Sequence, residues 1–134
     1  MGTDDRLREH PAERLAGPFQ KVVLADALAQ LRDEPHAATA GHRQVALVRR
    51  GPVTLILFQF ATDGFLKEHS TDGEVTIHVL AGQLEVSVND EAVPVAAGEL
   101  LSLAPGRAHA VRAHTPSEML LTICQVPAEA GRSS

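Results

Sequence analysis

The chain has 134 residues, enough for one domain with a real core, and neither composition nor a linker points to a second. Its formal charge of −5 offers no basic face to a phosphate backbone, so nucleic acid is not an expected partner. The longest apolar runs, such as Val53 to Phe58, fall far short of the roughly 20 residues of a membrane helix, and a membrane is not expected either. Cys124 is the single cysteine and can make no internal disulfide, and no basic-then-apolar leader opens the chain. A cytoplasmic protein is expected. With four Phe and no Trp or Tyr, any pocket should be mainly aliphatic.

Residues 1–16 are dense in charge and carry only Leu7 and Leu15 as large apolar side chains, which predicts a frayed or weakly helical arm. After Gly17-Pro18, the spacing of Phe19, Val22, Val23, Ala27 and Leu31 predicts an amphipathic helix that ends before Pro35. A competing pattern makes Val22-Val23-Leu24 a short strand and starts the helix at Asp26, whose carboxylate could cap it. The segment from Pro35 to Gly41 has the composition of a surface loop, in and beside which His36 and His42 are most simply solvated.

From Gln44 the period becomes that of strands, over 44–49, 53–60, 74–80, 83–89, 92–96, 99–103, 109–113 and 118–125. Eight short strands with no helix between them imply an antiparallel sandwich or barrel. Asn89-Asp90 predicts a hairpin turn, and Gly82 and Gly98 lie where the chain must reverse. Val75, Ile77 and Val79 share one face, opposite Glu74, Thr76 and His78. The strand Val53 to Phe60 is apolar on both faces, so it should be covered twice, the second time by the N-terminal helix or by another subunit. That second possibility is the basis for expecting a homodimer.

Within this frame the stretch from Gly64 to Gly82, with His69 inside it, and the stretch A-G-E-L-L-S-L-A-P-G-R-A-H-A-V-R-A ending at Ala113 resemble the two motifs of the cupins. Gly64 precedes His69 by four intervening residues where the first motif has five. Gly98, Gly106 and His109 fall on the second motif, with Pro105 displaced by one place and Ala113 at its final Asn. The resemblance implies a mainly all-β double-stranded β-helix, or jelly-roll barrel, over 42–126, preceded by an arm and one N-terminal amphipathic helix over 1–41 and followed by a flexible tail over 127–134.

Carried over by that resemblance, the family's metal positions fall on His69, Thr71, Val75 and His109, so two of the usual four ligands are kept. A divalent ion normally takes at least three protein ligands, and a threonine hydroxyl is a poor substitute for imidazole. Glu74 and His78 could complete a set with His69 and His109 if a bulge near Gly73 turned them inward; on a regular strand they face away. The expected pocket is lined by His69, Thr71, Val75, Ile77 and His109, and the expected cofactor is none or one divalent metal ion.

The other singled-out residues have plainer roles: Glu68 and Glu74 as solvated carboxylates, His114 on the surface, Arg107 and Arg112 as exposed cations that could meet an acidic ligand, Cys124 as a small core residue. No phosphate-binding glycine loop and no G-x-S-x-G occur, which removes support for nucleotide-dependent or serine-hydrolase chemistry. Two functions follow. One is a barrel that binds a small organic molecule through His69 and His109 without a full metal site. The other is a metal-dependent enzyme of oxygenase or isomerase type with a rearranged ligand set that includes His78.

Overall fold

The fold is that of a computed structural model, which describes residues 17–35 and 38–125. The expectations for the arm over 1–16, for His36 and for the tail over 127–134 lie outside the described residues. A helix, α1 (Leu24–Arg32), is followed by β1 (His42–Arg50), β2 (Val53–Phe60), β3 (Phe65–His69), β4 (Glu74–Ala81), β5 (Gln83–Val88), β6 (Glu91–Ala96), β7 (Leu100–Leu103), β8 (His109–Ala113) and β9 (Ser117–Cys124). The strands form two antiparallel sheets, β1-β2-β9-β4-β7 and β3-β8-β5-β6, folded together as a jelly roll. All eight expected strands are present, each to within two residues at either end.

Strand β3 is the addition. Its five residues, Phe-Leu-Lys-Glu-His, show no apolar alternation, because its only partner is β8 and much of it faces solvent. Its register also slips between Leu66 and His69. An edge strand with one neighbour needs little burial, so it leaves little period in the sequence.

Neither expected start for the helix holds. Phe19 is 79% exposed and Val23 is 48% exposed, so the residues that would have begun an apolar stripe at Pro18 make no core. Residues 22–23 form no strand, and Asp26 lies in the first turn, where its charge complements the helix dipole without capping it. Leu31 alone among the stripe is fully buried.

That burial explains the doubly apolar strand. β2 lies between β1 and β9, and its Phe58 and Phe60 enter the barrel core with Ile77, Val79, Leu84 and Met119. Alternation sends Leu57 to the opposite face, yet it is also completely buried. Helix α1 packs on β1 and β2 there, with Leu31 buried as Leu57 is. The second cover is the helix.

Two tight places govern how the strands reverse. Asn89 and Asp90 both have positive φ, 51° and 67°, in a two-residue loop between β5 and β6, the backbone of a primed hairpin turn. Gly82 has φ +80°, and a Cβ there would collide with the Ser117 side chain and the Pro116 carbonyl where β9 begins. His42, expected in solvent, is half-buried instead. Its ring tilts against Phe58 and Phe60, and its Nδ1 donates to the Phe65 carbonyl at 2.9 Å, tying edge strand β1 of one sheet to edge strand β3 of the other.

If α1 is a structural cover, Leu31→Ala should destabilise the protein by about 2–5 kcal/mol, as for other truncations of buried leucine. Phe19→Ala should stay within about 0.5 kcal/mol of wild type because Phe19 is largely exposed. Urea unfolding of both variants checks this, and equal losses would contradict the assigned helix face.

Candidate functional site

Strands β3 and β8 put the two motif histidines opposite each other. His69 pairs with His109 in the β3–β8 register, and their ring centroids lie 4.3 Å apart at an interplanar angle of 60°. Each ring is anchored in the same way by its own chain. His69 Nδ1 donates to the Lys67 carbonyl at 2.9 Å, and His109 Nδ1 donates to the Arg107 carbonyl at 3.1 Å. A carbonyl only accepts, so Nδ1 carries the proton in both rings, and in its neutral form each imidazole has its lone pair on Nε2.

The rings line a cavity of about 300 Å³ between the sheets, with Gln44, Ile56, Phe58, Leu66, Thr71, Val75, Leu121 and Ile123 making the rest of its wall. Four of the five expected pocket residues, His69, Thr71, Val75 and His109, are there. Ile77 is fully buried in the core and does not reach the cavity. Gln44, Ile56, Leu66, Leu121 and Ile123 were not singled out in the sequence. Their signal was present only as strand alternation, which marks a residue as facing inward but not as facing a void.

His109 is 2% exposed. Burial pushes its pKa below the ordinary histidine value, the bond to the Arg107 carbonyl partly offsets this, and the neighbouring His69 charge adds to the lowering. His109 is therefore neutral at neutral pH.

The residues present do not fit the divalent-metal site that the fold implies. Val75 stands where a carboxylate would be and has no donor atom. The Thr71 hydroxyl is committed to its own turn, donating to the Gly73 carbonyl and accepting from the Gly73 N–H, both at 3.2 Å. Glu74 and His78 do not repair the set. β4 runs in unbroken register from Glu74 to Val79 against β9, and the irregularity falls later, between Val79 and Ala81. Both side chains are exposed on the outer face, and His78 lies opposite Leu100 and Leu120. The bulge near Gly73 that would have turned them inward is absent. Among the described residues no group of three or more His, Cys, Asp and Glu is placed to hold a metal ion.

The remaining candidates lie elsewhere. Arg112 stacks over Phe65, with its guanidinium 5.9 Å from the ring centroid, and neither it nor Arg107 lines the cavity. His114 is exposed beside Glu85 at 3.6 Å. Cys124 is a half-buried free thiol on β9, opposite Val53 and Glu74. Glu68 is solvated.

The lowered pKa of His109 has a definite sign in the stability. The unfolded chain binds a proton on this ring near pH ~6.5, whereas the folded protein does so only at lower pH. Stability is thus unaffected above that value and falls as pH drops from it toward the folded pKa. In a His109→Leu variant that component should vanish, and urea unfolding at a series of pH values between 5 and 8 reads it as a shallower dependence than wild type. Parallel curves would contradict it.

A family model for the cupin domain matches residues 56–124, just over half of the chain. Among curated proteins no sequence matches it. Solved structures of the same fold include a cupin superfamily protein from Desulfitobacterium hafniense, 18% identical with a TM-score of 0.66 over 81% of this chain and 94% of that one. An RmlC-like cupin from Desulfovibrio desulfuricans is 26% identical, with a TM-score of 0.59 over 69% and 92% of the two chains. A predicted oxalate decarboxylase from Thermotoga maritima is 19% identical, with a TM-score of 0.59 over 63% and 81%. With the two motif histidines facing each other inside a two-sheet jelly roll and the family model spanning β2 to β9, this chain belongs to the cupin family.

Proposed function

We propose that this protein is a cytoplasmic cupin that binds a small organic molecule in the barrel cavity, held by His69 and His109 without a complete metal site. The observation that carries this is the pair of imidazoles whose Nδ1 protons are used by backbone carbonyls, leaving two adjacent Nε2 acceptors at the edge of an aliphatic cavity. A cavity of about 300 Å³ is at the small end of ligand pockets, which run from roughly 300 to 1,000 Å³. The wall composition supports an apolar ligand body with few polar contacts.

The alternative is a metal-dependent enzyme of oxygenase or isomerase type; one solved structure of the same fold is named as a predicted oxalate decarboxylase. It would need His78 to cross to the other face of β4, which reverses every inward residue of that strand.

Elemental analysis of purified protein separates the two. The expected result is no stoichiometric Fe, Mn, Ni, Cu or Zn, and no stabilisation when any of these ions is added. A stoichiometric ion that is lost in His69→Ala or His109→Ala would overturn the metal-free proposal.

A homodimer belongs to the same proposal on a different ground, since the helix takes the face of β2 that another subunit was expected to cover. Helix α1 packs on β1 and β2, and on β7 at the other side of the sheet Leu100 is 63% exposed, opposite His78. Sedimentation at micromolar concentration should give a dimer that Leu100→Glu dissociates. A monomer in the unmodified protein would remove this part.

A further inference from the structure

The cavity's chemistry restricts what it can hold. With Nδ1 of each ring engaged by a backbone carbonyl, Nε2 of each neutral ring is an acceptor. Among the described residues Thr71 is the only hydroxyl in the wall, and its donor and acceptor are both engaged by Gly73. Gln44 is the remaining polar side chain, and it already has a partner. Among the described residues, no Lys, Arg, Asp or Glu lines the cavity.

Three consequences follow from elementary electrostatics. A carboxylate or phosphate would face two lone pairs with no cation beside it, and an anion buried without a counter-charge is strongly disfavoured. An ammonium would meet acceptors but likewise no counter-charge. A neutral hydroxyl meets an acceptor directly, while its apolar body replaces water along Ile56, Phe58, Leu66, Val75, Leu121 and Ile123. The size agrees: the volume is about twice that of the ~150 Å³ apolar cavity known to admit benzene, so one ring with a short substituent fits.

We infer that the barrel selects neutral, largely apolar molecules bearing a hydroxyl donor, such as alkylphenols or comparable alcohols, and discriminates against organic anions of the same shape. This rests on the proposed binding role of the cavity and adds the ligand class. The hydroxyl donates to Nε2 of His69 or His109, and the two rings act as acceptors with their Nδ1 protons held in place by Lys67 and Arg107 carbonyls.

The test is calorimetric titration at pH 8 of the full chain with three isosteres: 4-ethylphenol, ethylbenzene and 4-ethylbenzoate. The phenol should bind roughly tenfold tighter than the hydrocarbon, the upper end of what one hydrogen bond to a neutral acceptor gives. The benzoate should be weaker than both. With both acceptors removed, in a His69→Phe, His109→Phe double variant, the preference of phenol over hydrocarbon should shrink to a few-fold at most.

Equal affinity for phenol and hydrocarbon would overturn the donor requirement while leaving the cavity as a binding site. Tighter binding of the benzoate, with uptake of one proton read from titrations in two buffers of different ionisation enthalpy, would overturn it in the same way, because an imidazolium would then be the true partner. No binding by any of the three would overturn both the ligand class and the binding role. A second measurement does not depend on variants that fold. Imidazole nitrogen NMR at pH 8 should show Nδ1 protonated and Nε2 unprotonated in both rings, and the opposite tautomer in either would overturn the inference.

Discussion

The site depends on one constraint: two histidines are held opposite each other across β3 and β8, each ring fixed by its own backbone. Each ring donates from Nδ1 to the carbonyl two residues earlier, so ring position, tautomer and direction of the free lone pair are all set by strand geometry. That arrangement depends on edge strand β3 staying on β8 despite a slipped register. His42 contributes from the other sheet by its bond to the Phe65 carbonyl, which joins the two edge strands where neither has a second strand neighbour. The same kind of interaction, imidazole Nδ1–H to carbonyl, is used once for closure and twice for the site.

The rest of the barrel decides what those lone pairs can meet. Histidines anchored through one ring nitrogen are also the usual form of metal-binding histidines, so the pair alone would serve either chemistry. The difference lies in the neighbours. The unbroken register of β4 places Val75 inward and Glu74 and His78 outward, and a local turn engages the Thr71 hydroxyl. An inward Val at that point contributes apolar wall to the cavity and no donor atom. A site with two imidazoles in an aliphatic setting suits hydrogen bonding to a neutral molecule better than coordination, which needs more donors than are on hand.

Most of the architecture was legible before any coordinates. Alternation marked eight strands, the Asn-Asp pair marked its hairpin, and Val53 to Phe60 announced that something covers both faces of a strand. Phe19 and Val23 misled because helical spacing cannot say whether a tertiary partner exists for the stripe; here Leu31 found one and they did not. β3 leaves no such mark because Lys67 and Glu68 interrupt any apolar period on a solvent-facing edge. At the site, His69 and His109 stood out by position, but Ile56, Leu66, Leu121 and Ile123 look like any other core residues in the sequence. A cavity is a gap between sheets, and no single strand encodes its presence.

What the sequence determined by itself is the class of fold and the poverty of the ligand set, because period, turn residues and residue chemistry are local properties. A valine cannot supply a donor atom wherever it is placed. What only the tertiary structure decided is which way each side chain faces and what it faces. The register of β4 against β9, the packing of the helix on β1 and β2, the pairing of His69 with His109 and the volume between the sheets all arise from pairings between segments far apart in the chain. Those pairings depend on the packing free energy of the whole barrel, which no local stretch of residues contains.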